Sequence, residues 1–212
     1  VTSSAPGVQP VLVCASANPD KVREIEQILA GLVDLRPRPA DVPDVDETAD
    51  TLVGNARLKA EAIRDATSMA AVADDTGLFV EALPGELGVR TARYAADQSS
   101  HASDPYGANR AKLLRALADI ADDRGRRARF VTVVLVSYPD GTELFVEGEC
   151  TGTIATGERG ERGFGFDPLF VPDDGDGRTF AEMSDAEKNS MSHRARAFTS
   201  LAVALRSRSP MS

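Results

Sequence analysis

Tryptophan is absent from this sequence, and cysteine and histidine occur only twice each. Two histidines, His101 and His193, are too few for a His-rich zinc centre. The cysteines, Cys14 and Cys150, lie in apolar or strand-like runs without metal-ligand spacing, and read as buried reduced thiols. No apolar run approaches the ~20 residues that cross a membrane. Positive charge is in short supply: 24 Lys and Arg against 33 Asp and Glu leave a formal net charge of −9. That balance argues against a surface built for nucleic-acid backbones. It still allows a small phosphorylated ligand in a local basic pocket. Val1 to Pro10 has neither a basic start nor an apolar core, so no signal peptide is expected. A cytoplasmic enzyme or binding protein is the expectation, with neither nucleic acid nor membrane as partner.

What is present is organised around Ala71 to Val80, Ala-Val-Ala-Asp-Asp-Thr-Gly-Leu-Phe-Val. Two short apolar runs read as buried strands, with Asp74, Asp75, Thr76 and Gly77 between them. Taken alone, those four residues suit a turn with glycine at positive φ. On an extended segment, neighbouring side chains point to opposite faces, so Asp74 and Asp75 would do different jobs. An acid pair there suits a hard divalent cation.

The rest reads as one mixed α/β unit. Residues 1–10 form a flexible tail, and residues 11–208 a single domain with two lobes around a cleft. Val11 to Ala15 is a buried strand. Asn18 and Pro19 suit an N-cap and the first turn of an amphipathic helix carrying Val22, Ile25, Ile28 and Leu29. A strand running into a helix N-terminus is a natural anion site. Leu35 to Val45 is proline-rich and irregular, and an acidic cluster with Asp46 and Glu47 precedes a helix from about Thr51 to Ala66. Asn55 and Lys59 project together from that helix. Arg129 to Tyr138 and Thr142 to Ile154 form a long hairpin. The glycine-rich loop Thr156 to Gly165 leads to the short strand Leu169 to Val171. Ser184 to Glu187 has capping-box form, and His193-Arg194 stands at the start of the last helix.

Separated segments therefore offer matched chemistry. Asn18 and Lys21 lie at a helix start, Glu47 and Asp75 supply oxygen ligands, and Lys59 is a second cation. Phe164 to Asp167 and Lys188 to Arg194 supply a ring, an acid, an imidazole and a guanidinium. Cations with an acid pair suit a polyphosphate, and an aromatic ring beside polar donors suits a nucleobase.

In this order the motifs resemble the inosine/xanthosine triphosphate pyrophosphatase (Ham1-like) family. They are Ser16-x-Asn18-x-x-Lys21, Glu47-Thr48, Asn55-Ala56-x-x-Lys59-Ala60, Asp74-Asp75-Thr76-Gly77-Leu78, Ala92-Arg93-Tyr94, Phe164-Gly165-Phe166-Asp167-Pro168 and Glu187-Lys188-x-x-x-Ser192-His193-Arg194. The resemblance runs from about Val11 to about Leu205. It implies a long mixed sheet with flanking helices, two lobes around a central cleft, and a homodimer. It implies Mg²⁺-dependent hydrolysis of the deaminated purine nucleotides XTP, ITP and dITP to monophosphate and pyrophosphate. Carried over by motif, Ser16, Ala17, Asn18, Pro19, Asp20 and Lys21 would bind the triphosphate, with Lys59 assisting. Glu47 and Asp75 would hold Mg²⁺, with Asp46 the alternative ligand. Asp75 would be the general base, the role the family proposes for it, and its neighbour Asp74 could share that role. Thr76 would contact substrate. Phe164, Gly165, Phe166, Asp167, Lys188, His193 and Arg194 would form the base pocket.

Two positions depart from the family pattern. Gly54 stands where relatives often carry Glu, and Phe166 where Tyr or Trp is common. The alternatives are a Maf-like pyrophosphatase acting on modified pyrimidine nucleotides and a nucleotide-binding module that does not hydrolyse. The Phe164 to Asp167 and Ser192 to Arg194 motifs speak against the former.

Overall fold

A computed structural model describes residues 9–96, 104–120, 122 and 124–208. Most of the expected tail, residues 1–8, and most of the polar stretch after Ala95 lie outside the described residues.

The strands are β1 (Val11–Cys14), β2 (Asp34–Arg36), β3 (Ala71–Val80), β4 (Arg127–Ser137), β5 (Glu143–Ile154) and β6 (Phe170–Pro172). The helices are α1 (Pro19–Leu29), α2 (Leu52–Thr67), α3 (Pro105–Ala116), α4 (Asp185–Met191) and α5 (His193–Arg208). All strands join one sheet in the order β2-β1-β3-β4-β5-β6. β1 is parallel to β2 and β3, and the remaining pairs are antiparallel. Parallel neighbours need crossovers, which α1 and α2 supply. β2 overlaps the start of the proline-rich stretch expected to be irregular, Leu35 to Val45; three edge residues are too few to show a pattern.

The two apolar runs around Asp74 and Asp75 are one strand without a turn. All ten residues of β3 pair with β4, Asp74 opposite Val134 and Asp75 opposite Val133. Gly77 is not among the positive-φ glycines. The ladder with β4 overrides the turn preference of Asp-Thr-Gly, as tertiary pairing commonly does.

Alternation along β3 and β4 then builds the site. On one face, Leu78 and Val80 meet Phe130 and Ala128 in a core that includes Phe170 and Phe180. At the other end of the same face, Val72 meets Val134 and Val136 in a second core roofed by α1 and α5. Asp74, Thr76 and Thr132 lie between these cores as a buried or half-buried polar layer. The opposite face carries Ala71 and Ala73 against Ala56, Ala60 and Ile63 of α2. The small residues at this contact bring α2 close enough for Asn55 and Lys59 to reach the strand.

Candidate active site

The helix start at α1 is built locally. Asn18 Oδ1 accepts from the Asp20 and Lys21 amides at 2.9 and 3.3 Å, and the Asn18 amide donates to Ser16 Oγ at 3.2 Å. Asn18 takes up those amides and Pro19 has none, so what favours an anion here is the positive end of the helix dipole together with the Lys21 ammonium. Ser16, Ala17, Asn18 and Lys21 line the cleft there, joined by Lys59 and Arg38. Pro19 and Asp20 fill the first turn outside that lining, and Asp20 pairs with Arg23 at 3.6 Å.

The two acids of β3 diverge as strand geometry requires. Asp74 Oδ2 lies 3.1 Å from Lys21 Nζ and 3.2 Å from Arg194 Nη2. Burial pushes its carboxyl up, but the Lys21 and Arg194 charges outweigh burial and hold it well below the usual range. Its Oδ1 is buried with no hydrogen-bond partner. On the α2 side, Asn55 Nδ2 donates to Asp75 Oδ2 at 3.2 Å, and Lys59 Nζ lies 3.5 Å from Asp75 Oδ1. Here burial prevails: the Asp75 carboxyl is raised above its ordinary value, against Lys59 and Lys21 and with help from Glu47.

Glu47 accepts from Lys59 Nζ at 2.9 Å and is held from outside by Arg93, whose Nη2 donates to the Glu47 carbonyl at 3.0 Å. Asp46 is exposed and faces neither part of the cleft. Gly54 lets this acidic loop fold back on α2, since a Cβ there would come within 2.6 Å of Ala49 Cβ. Among the described residues, no three acid, imidazole or thiol groups form a ready metal cluster. Glu47 and Asp75 still fit a divalent cation. Both are hard oxygen donors gathered around one ammonium, and Asp75 sits where buried negative charge is under-compensated. Mg²⁺ commonly uses one or two carboxylates and takes its other ligands from water and substrate phosphates.

The far end of the cleft is aromatic and cationic. Lys188 and Arg194 lie over the Phe164 ring at 5.1 and 5.5 Å. Lys188 pairs with Asp167 at 2.6 Å, and Asp167 also accepts from the Phe164 amide at 2.8 Å. Gly165 sits at φ 61°, a conformation open to glycine, and its carbonyl accepts from Arg110 at 3.0 Å. Phe166 belongs mostly to the core, so Phe164 is the more open ring. His193 is buried, stacked on Phe130 at 4.5 Å, and its Nδ1 lies 2.7 Å from Thr132 Oγ. Burial first, then the Arg194 and Lys188 charges, push its pKa well below the ordinary histidine value.

Other residues complete the site without having been singled out from sequence. Glu24 bridges Lys188 at 2.5 Å and Arg194 at 2.6 Å, tying the aromatic and cationic end of the cleft to α1. It lies three residues after Lys21, and that helical spacing was a usable signal. Tyr106 Oη accepts from Asn18 Nδ2 at 3.0 Å and its ring stands 6.1 Å from Phe164. Nothing local in the sequence marks it. Thr132 interrupts the apolar run Phe130 to Val136 of β4, in register with Thr76.

Fold and cleft together define an α/β protein shaped for a ligand with an anionic end and a flat ring. A model of the Ham1 family matches residues 12–204. The sequence is 45% identical over 192 residues to a dITP/XTP pyrophosphatase of Rhodospirillum centenum, covering 90% of this chain and 92% of that protein. A dITP/XTP pyrophosphatase of Deinococcus deserti is also 45% identical, over 91% of this chain and 88% of its own length. The structure of a HAM1 protein from Coxiella burnetii superposes with a TM-score of 0.81 at 35% identity, over 94% of this chain and 100% of that one. The chain belongs to the Ham1 family.

Proposed function

We propose that this protein hydrolyses deaminated purine nucleoside triphosphates (XTP, ITP and dITP) to the monophosphate and pyrophosphate, clearing them from the nucleotide pool. It is a nucleoside triphosphate pyrophosphatase. The observation that carries the reading is the layout of one cleft. A capped helix N-terminus with Lys21 and Lys59 lies at one end, Phe164 with Lys188 and Arg194 at the other, and Asp75 between. The names of the 45% identical relatives point the same way.

The triphosphate lies against Ser16, Asn18 and Lys21, where the helix dipole and the ammonium offset its charge. Water attacks the α-phosphorus, the bond to the bridging oxygen breaks, and pyrophosphate leaves. Asp75 takes the water's proton; burial raises its proton affinity above that of an ordinary carboxylate. Asp74, held ionised by two cations, is a poor base and instead fixes Lys21 and Arg194. Lys59 steadies Glu47 and Asp75. Glu47 and Asp75 are the residues that would hold Mg²⁺. When bound, the ion neutralises charge on the phosphate oxygens.

Base selection follows from hydrogen-bond polarity. Hypoxanthine and xanthine carry an acceptor at position 6, where adenine carries a donor amine. Donors from His193 and Arg194 pair with the oxo group and leave adenine unmatched, a strong basis for rejection.

The continuous sheet through both cores supports a single two-lobed domain over residues 11–208. A homodimer in the cytoplasm completes the proposal. Exposed Phe145 and Val203, 56% and 59% accessible, supply apolar surface for a second copy. Among the described residues no helix is long and apolar enough to cross a membrane.

The test is pyrophosphate release from dITP, XTP, dGTP and dATP, with Mg²⁺ and with EDTA. Metal-dependent release favouring dITP and XTP is expected. No release from any of the four would leave a nucleotide-binding module as the better account.

A further inference from the structure

A neutral imidazole has one donor and one acceptor, and the partner of one nitrogen decides what the other presents. His193 lines the cleft, and its Nδ1 is engaged inside the protein by the Thr132 hydroxyl at 2.7 Å. Which of the two donates depends on where Thr132 can send its single proton. That question can be followed outward from Arg194.

Arg194 has only donors. Its Nη2 donates to Thr76 Oγ at 3.2 Å and to Asp74 Oδ2 at 3.2 Å. Thr76 Oγ therefore accepts from Arg194 and has one proton to give. Two acceptors are in reach: Thr132 Oγ at 2.8 Å and Asp74 Oδ2 at 3.4 Å. The shorter contact is the good hydrogen bond, and Asp74 Oδ2 is already served by Lys21 and Arg194. Thr132, having accepted from Thr76, sends its own proton to the remaining neighbour, His193 Nδ1. Nδ1 is then an acceptor, and the ring hydrogen resides on Nε2.

We propose that Thr132 is a positioning residue that fixes His193 as the Nε2–H tautomer, so that the ring offers a donor to the oxo group at position 6 of the base. The proposal rests on the nucleotide reading above. Thr132 touches no substrate and acts through His193. Its place is built: Thr132 is fully buried, Phe130 stacks on the imidazole, and Gly148 sits opposite Thr132 in the ladder. A Cβ on Gly148 would overlap the His193 carbonyl oxygen, so glycine lets α5 lie directly above Thr132. The hydroxyl chain Arg194–Thr76–Thr132–His193 thereby couples the cation at Asp74 to the polarity of the base pocket.

The experiment is ¹⁵N NMR of the full chain labelled at histidine nitrogens, where hydrogen-bearing and bare ring nitrogens are well resolved. The sequence has two histidines, and His101→Gln assigns the second. Hydrogen on Nε2 of His193 is expected in the wild type. Thr132→Val keeps the β-branched shape and removes the hydroxyl; it is expected to shift the ring toward the Nδ1–H form. It is also expected to cut the kcat/KM preference for dITP over dATP about tenfold, the weight of one hydrogen bond. Thr132→Ser restores both. Hydrogen on Nδ1 in the wild type overturns the proposal whether or not Thr132→Val folds. So does a Thr132→Val protein with wild-type tautomer and selectivity. Absence of dITP turnover by the wild type strikes the nucleotide reading instead, and the wild-type spectrum still decides the tautomer.

Discussion

Asp74 and Asp75 are consecutive in β3 and serve opposite faces of the sheet. The Asp74 carboxylate lies 3.2 Å from Arg194 beside the proposed base pocket, and the Asp75 carboxylate accepts from Asn55 of α2 at 3.2 Å. Their environments push their proton affinities apart, Asp74 down and Asp75 up. Such a split is how two like acids acquire different roles.

Substitution should separate those roles. Asp74→Ala takes the carboxylate from Lys21 and leaves buried Arg194 with Glu24 as its remaining acid partner, which is expected to cost about 3–5 kcal/mol of stability. Asp75→Asn removes a carboxylate that burial already disfavours, and stability should change by less than about 1 kcal/mol. Turnover of dITP by Asp75→Asn should nonetheless fall by about 10²–10⁴, the usual contribution of a general base. Urea unfolding and steady-state kinetics on both variants read this out. Equal destabilisation by the two changes would contradict the division.

The buried imidazole sets a pH dependence. Its folded pKa lies well below the unfolded value of about 6.5, so the unfolded chain binds a proton the folded chain refuses. The stability that His193 contributes is therefore fully present above pH ~6.5. It is lost as pH falls toward the folded value, at up to about 1.4 kcal/mol per pH unit. Unfolding free energies between pH 7 and pH 5 measure the slope, and His193→Gln should remove that component. A slope unchanged in the variant would show that His193 is not its source.

Much of this architecture is legible in the sequence because it is local. The N-cap at Asn18, the capping box at Ser184 and Glu187, and the hairpin across Pro139 to Gly141 are all short-range patterns that the structure contains. The opposite facing of Asp74 and Asp75 follows from strand geometry alone. The continuity of β3 is not local: it depends on β4, which follows only after α3, supplying an unbroken ladder. The same holds for Tyr106, which reaches Asn18 across 88 residues, and for Thr132, whose hydroxyl acquires meaning only opposite Thr76 and beneath His193. Family motifs mark positions that are close in sequence to other chemistry, and these two residues stand apart from such clusters.

The cysteines should be inert in the native state. Burial pushes both thiols up to about 11, so almost no thiolate exists near neutral pH. Cys14 lies within β1 and Cys150 within β5, both closed from solvent. A thiol-reactive probe at pH 8 is expected to label neither in the native protein and two per chain in denaturant. Rapid stoichiometric labelling of the folded protein would show that one of these strands opens readily.

The seating of α5 gives the most local structural test. Gly148 of β5 passes directly beneath the first turn of α5, and a Cβ there would overlap the His193 carbonyl and the Ala197 amide, which are backbone atoms that cannot swing aside. Gly148→Ala must therefore lift the helix or bend the strand. Overpacking of this kind costs about 1–3 kcal/mol. In a chain of this length each kcal/mol lowers the melting temperature by about 2–4 °C. The displaced turn carries His193 and Arg194, so the KM for dITP should rise more than kcat falls. Gly157 offers the control: it has a negative φ and open space where a Cβ would go, and Gly157→Ala should stay within about 0.5 kcal/mol of wild type. If Gly148→Ala melts with the wild type and keeps its KM, α5 does not press on β5 at this point, and the close contact that sets His193 over Thr132 is not there.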